Sequence, residues 1–247
     1  MAWLSTEFYF YKGSAPCRAV WMTLKALNVE YEEKHVDLLK AENKRPWFVR
    51  LNPQHTVPTI SDQGFVLWES RAIMMYLVNK YATEENQYLY PKDPEERGKV
   101  DRMLFFDMGT FYHAIKEYFR KKPRPFQGPK IHQGMSPEQE KENLLKTSLD
   151  YLDQFLESGG VPYLCGERIT IADIAVLASI TELDALDYNY KCFGEVLRWS
   201  QRMKENFPHY KACCLEGVEM TKARVKQLED DLKKQMEKER KASITKK

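Results

Sequence analysis

The sequence predicts an α/β unit followed by an all-helical one, and changes of pattern along its 247 residues carry that prediction. Up to about residue 80, short β-branched or aromatic runs alternate with stretches of helical period. Beyond residue 94 the helical period takes over. Between the two lies 82–94, polar and carrying Pro91 and Pro94, the composition of a linker.

The elements follow in order. The run Glu7-Phe8-Tyr9-Phe10-Tyr11 reads as a strand over 8–11, 12–16 as a turn, and 17–27 as an amphipathic helix opened by Pro16, whose fixed φ suits a first helical turn. Further strands are expected over 31–36, 59–60 and 65–68, with a second helix over 70–81. In the helical part, Val100, Met103, Leu104, Asp107, Met108, Phe111, Tyr112, Ile115 and Phe119 form one long stripe. The segment 121–137 breaks it with Pro123, Pro125, Gly128, Pro129 and Gly134 and is expected to be a loop between two helices. There is no internal repeat. These boundaries give domains at 1–83 and 94–217 and a charged extension at 218–247, partly helical.

Composition narrows the class. A hydrophobic content of 43% is that of a globular protein, and no apolar stretch approaches a membrane span. The opening residues lack the basic and apolar regions of a secretory signal, so a cytosolic setting without membrane insertion is expected. Five cysteines, odd in number and scattered, suit reduced thiols better than a disulfide framework, and neither they nor the five histidines show metal-ligand spacing. The net charge of +2 is too small to argue for nucleic acid. It is uneven, however: residues 218–247 hold ten Lys or Arg against six Asp or Glu, a net of +4, which leaves −2 for the rest. Over 218–236, Val218, Val225, Leu228, Leu232 and Met236 fall on one side of a charged helix, expected to dock on the protein's own body or a dimer mate. The alternative is a solvated helix that frays into a Lys-rich end.

Two segments place polar groups where a helix begins: Gly13-Ser14-Ala15-Pro16-Cys17-Arg18 and Trp68-Glu69-Ser70-Arg71-Ala72-Ile73. Free amides and the positive end of a helix dipole favour an anion, so the pair describes a site for a small anionic peptide. A hydroxyl at Ser14 can donate one more bond to that anion, although a turn serine also serves as a plain helix cap. Between the segments runs Asn52-Pro53-Gln54-His55-Thr56-Val57-Pro58, a loop that enters a strand through a proline.

Those three motifs and the later Thr170-Ile171-Ala172-Asp173, in this order and spacing, resemble cytosolic glutathione S-transferases, closest to the arthropod delta class, which is theta-like and serine-type. The likeness runs from about residue 7 to residue 210. It implies a thioredoxin-like N-terminal domain, an all-α C-terminal domain, a homodimer, and glutathione as cosubstrate with no metal. The implied activity is conjugation of the glutathione thiol, as thiolate, to hydrophobic electrophiles, a detoxification reaction. The resemblance makes Ser14 the catalytic hydroxyl, with Tyr9 and Tyr11 as rivals because other classes use a tyrosine at the end of this strand. It assigns Glu69, Ser70 and Arg71 to the γ-glutamyl end, Val57 beside a cis Pro58 to the cysteinyl backbone, and His55 to the glycyl carboxylate. Delta-type enzymes commonly carry a histidine where this chain has Asn43. Met108, Tyr112, Ile115 and Phe119 are candidates for the electrophile pocket, although a stripe at that spacing also describes core.

Redox relatives of the fold carry two cysteines, separated by two residues, at the first helix start. Here Ser14 stands at the first of those places and Cys17 at the second, which removes the dithiol and leaves Cys17 as a packing residue. Two other classes of function remain open: a non-catalytic carrier of hydrophobic ligands, and a transferase-like interaction module tethered by the basic tail.

Overall fold

The computed structural model describes residues 6–119 and 137–244. Its first unit is a four-stranded sheet with helices against it. Strand β1 (Thr6–Phe10) alternates buried and half-buried residues and leads into helix α1 (Ala15–Ala26). Then come β2 (Tyr31–His35), α2 (Pro46–Leu51), β3 (Thr59–Asp62), β4 (Phe65–Trp68) and α3 (Ser70–Tyr81). The strand order is β2-β1-β3-β4, with β1 parallel to β2 and antiparallel to β3. The crossover through α1 is what a parallel β1–β2 pair requires. This is the thioredoxin-like arrangement, and the Val57–Pro58 bond is cis.

The second unit is helical: α4 (Pro94–Phe106), α5 (Tyr112–Phe119), α6 (Pro137–Gly159), α7 (Ile171–Ala185), α8 (Gly194–Asn206) and α9 (Tyr210–Ile244). The single stripe expected over 100–119 is two helices joined by a π turn, Asp107–Phe111. A π turn inserts one residue and rotates the face that follows, and such turns concentrate at functional sites. The loop expected over 121–137 lies almost wholly outside the described residues.

Helix α7 is the axle of the fold. Nearly all its residues are buried, and it touches both α1 and α9. Its start is a capping box, in which Thr170 N–H donates to Asp173 Oδ2 at 2.9 Å and Ala172 N–H to Thr170 Oγ1 at 3.3 Å. Asp173 also accepts from Leu164 N–H and from the Trp199 indole, which joins three segments at one buried carboxylate.

Helix α9 runs unbroken through Gly217, so residues 218–244 continue the last helix of the body. Among the described side chains of 218–236, those at the near end pack on the body. Val218 is buried and Thr221, Lys222 and Val225 are half-buried, whereas Leu228 is 51% exposed and Asp230, Asp231 and Lys234 are exposed.

Candidate active site

A cavity of about 390 Å³ opens between the starts of α1 and α3 on one side and the π turn with α5 on the other. Ser14, Val57, Glu69, Ser70, Met108 and Tyr112 all line it, although they come from four separate stretches of the sequence. Thr56, Pro58, His113 and Lys116 complete much of the wall.

Ser14 is the N-cap residue of α1, with extended backbone (φ −96°, ψ 117°), and its side chain makes no capping bond. Its amide donates to Tyr11 O at 2.9 Å and its carbonyl accepts from Arg18 N–H at 3.0 Å, which fixes the backbone, while the side chain borders the cavity with the Cys17 thiol as its neighbour. One of the amides expected to be free here is taken. Ala15 N–H already donates to Glu182 Oε1 at 3.2 Å, and Pro16 has no N–H to offer. Glu182 is buried and reaches this amide from α7 because Arg18, fully buried, donates to it at 2.8 Å and to Thr181 Oγ1 at 2.7 Å. Burial raises the Glu182 carboxyl and Arg18 opposes that rise.

The rival tyrosines point elsewhere. Tyr9 donates to Glu7 Oε2 at 3.0 Å, and burial followed by Glu7 pushes its pKa up to about 12. Tyr11 is raised by burial and then by Asp37, and neither ring lines the cavity. Cys17 is wholly buried. Burial pushes its thiol up to about 11 even though the Ser14 hydroxyl pulls it down, so it stays protonated at neutral pH.

At the second helix start Glu69 is exposed and held at φ +70°, a left-handed conformation that only surrounding structure can sustain in a non-glycine residue. Ser70 is buried and its Oγ accepts from Arg71 NH1 at 2.7 Å. The Arg71 guanidinium does not line the cavity. It turns inward to an ion pair with Asp107 on the π turn, and Ser179 Oγ on α7 donates to the same carboxylate at 2.7 Å. A chain of four side chains therefore runs from the cavity wall into the helical unit.

The other expected residues divide. His55 is exposed at φ +47° outside the cavity wall, and its carbonyl accepts from Asn43 Nδ2 at 2.8 Å. Ile115 is core, and Phe119 is half-buried beyond the lining. Tyr112 is half-buried and its hydroxyl is raised by burial and then by Glu182, so it remains a neutral donor. Sequence reasoning missed Asp107, Ser179, Arg18 and Glu182. Their signal is a polar residue inside an otherwise apolar stripe, visible for Asp107 between Leu104 and Phe111. Among the described residues, no group of three or more His, Cys, Asp or Glu could hold a metal ion, and no helix is long and apolar enough to cross a membrane.

Residues 6–79 match the family model of the glutathione S-transferase N-terminal domain, and residues 129–212 that of the C-terminal domain. A delta-class glutathione transferase from Nilaparvata lugens is 38% identical with a TM-score of 0.78, over 90% of this chain and 99% of that one. An epsilon-class enzyme from Musca domestica is 31% identical with a TM-score of 0.76, over 90% and 98%. A glutathione transferase homologue from Drosophila mojavensis, solved with bound glutathione, is 30% identical with a TM-score of 0.75, over 90% and 97%. The chain belongs to the glutathione transferase family, and glutathione is its cosubstrate.

Proposed function

We propose that the chain is a serine-type glutathione transferase in which Ser14 donates a hydrogen bond to the glutathione thiolate. One observation carries the assignment. The Ser14 hydroxyl is the one predicted nucleophile-activating group that lines the cavity without a capping bond, while Tyr9 and Tyr11 lie outside it. A free thiol has a pKa of roughly 8.5 and reacts as the thiolate. Lowering that pKa by about two units needs about 2.7 kcal/mol of preferential anion stabilisation, within reach of one charge-assisted donor acting with a helix dipole.

The unit at 1–83 binds glutathione in this reading. Glu69 faces the γ-glutamyl ammonium and Ser70 its carboxylate, with Arg71 supporting Ser70 from behind. Val57, half-buried beside the cis bond and on the cavity wall, pairs with the cysteinyl backbone as an added strand would, and His55 meets the glycyl carboxylate at the rim. The unit at 94–217 supplies the electrophile wall through Met108 and Tyr112. Ile115 supports that wall from the core, and Phe119 extends it. The reaction is addition, substitution or elimination at an apolar electrophile by the sulfur, with Tyr112 able to donate to charge developing on the acceptor.

Two exposed aromatics support a homodimer: Phe105 on α4 is 72% exposed and Phe65 on β4 is 50% exposed, apolar surface that a second copy would cover. The free cysteines agree with a reducing, cytosolic setting. Steady-state assay of the purified protein with glutathione and a chlorodinitrobenzene-type acceptor, alongside Ser14→Ala and Tyr11→Phe, tests the assignment. Loss of turnover in Tyr11→Phe with none in Ser14→Ala would move it to a tyrosine.

A further inference from the structure

The loop ahead of Ser14 is gripped from outside the sheet unit by the near end of α9, beyond residue 212 where the C-terminal family model stops. Gly217 is buried where α9 crosses the loop. A Cβ there would lie 2.1 Å from Lys12 O and 2.9 Å from Lys12 C, so glycine is what permits the helix to come this close. One turn on, the Thr221 hydroxyl stands 3.2 Å from Gly13 O and 2.9 Å from Gly217 O, and its single proton is shared between the two carbonyls. Glu216, a residue before the glycine, pairs with Lys12 Nζ at 2.7 Å. From α1, Arg18 NH1 donates to the same Lys12 carbonyl at 3.0 Å, and a Cβ at Gly217 would also come within 3.1 Å of that nitrogen. The two peptide groups immediately before Ser14 are therefore held between α1 and α9.

We infer that Gly217 and Thr221 are positioning residues for the thiol-activating hydroxyl: the turn 216–221 of α9 braces the Lys12 and Gly13 carbonyls and so aims Ser14 Oγ into the cavity. The inference rests on the reading of Ser14 given above. Positioning matters here because a donor misplaced by about 1 Å loses much of its effect on a developing or resident anion. Neither residue lines the cavity, so neither should alter how tightly glutathione is held.

Three variants of the full chain test it: Thr221→Val, which keeps shape and deletes the donor; Thr221→Ser, which restores it; and Gly217→Ala, which drives a methyl against the loop. The readouts are kcat, KM for glutathione, and the pH dependence of the rate, which reports the pKa of the bound thiol. Thr221→Val is expected to lower kcat by about threefold to tenfold, to shift the thiol pKa upward, and to change KM by less than about twofold. Thr221→Ser should recover the wild-type profile, and Gly217→Ala should exceed the Thr221→Val effect. A Thr221→Val enzyme with an unmoved pH profile overturns the inference, even if it melts earlier, because that is the behaviour of a purely structural contact. Ser14→Ala run in parallel separates the two claims. If it leaves the thiol pKa in place, the reading of Ser14 fails; if it shifts the pKa while Thr221→Val does not, only the brace fails.

Discussion

Two helices begin at the same cavity, each with a serine, and the two serines are wired in opposite ways. At α3 the Ser70 hydroxyl is the outermost member of a buried chain through Arg71, Asp107 and Ser179 into the helical unit. At α1 the Ser14 side chain makes no capping bond; its backbone is fixed instead, by Tyr11, Arg18 and the braced Lys12 and Gly13 carbonyls. A hydroxyl that must hold one end of a ligand gains from a rigid network behind it. A hydroxyl that must donate to sulfur has one proton, and a cap bond would take it. The difference therefore separates binding from activation, and each variant below is expected to damage one without the other.

The largest effect should come from cutting the α3 chain at its deepest point. Asp107 is fully buried beside Arg71, and Arg71 Nε has no hydrogen-bond partner among the described residues. Asp107→Asn leaves a guanidinium with no countercharge, and removal of one member of a buried pair costs about 3–5 kcal/mol. Thermal denaturation should show a fall in Tm; unchanged melting would mean that solvent already reaches the pair.

Ser14→Ala comes next. It should lower kcat by at least about tenfold, or about 1.4 kcal/mol, with KM for glutathione little changed. A rise in KM with kcat preserved would show that this serine behaves like the one at α3. Glu69→Ala and Ser70→Ala should do the reverse, weakening retention on a glutathione resin by about tenfold through the charge or polar group left unpaired in the complex. Wild-type retention by both variants would remove the γ-glutamyl end from this helix start.

The asymmetry was only half legible in the sequence. The positions of Ser14, Val57, Glu69, Ser70, Met108 and Tyr112 could be read because each follows from a local rule: a helix start, a loop before a proline, a helical stripe. Their company could not. Arg71 looks like a ligand contact until Asp107 comes into view, 36 residues on and turned inward by a π turn that periodicity does not reveal. Ala15 looks like a free amide until Glu182 arrives from 167 residues away. Short α2 was also missed, because six residues carry too little periodicity to stand out from loop. Local pattern fixes where a residue sits on its element, and only packing decides which of its bonds remain open.

The smallest effects concern α9, which braces α1. Among its described side chains the grip reaches Val225: Val218 is buried, Thr221 reaches Gly13 O and Lys222 pairs with Asp187 at 3.2 Å, whereas Lys226, Gln227 and Leu228 are exposed. A chain ending at Gly217 loses the burial of Val218, worth about 1.5 kcal/mol, and the Thr221 donor with it. For a protein of this size that corresponds to a Tm lower by about 3–6 °C, together with reduced kcat. A chain ending at residue 226 keeps every one of those contacts and should match the full-length protein in Tm to within about 1 °C, in kcat and in mass by light scattering. If both truncations behave like the full chain, α9 braces nothing and Ser14 is held by α1 and α7 alone. If the chain ending at residue 226 also loses stability or shifts to a smaller mass, the far half of the helix has a partner in solution, and a second copy of this chain is the first to test.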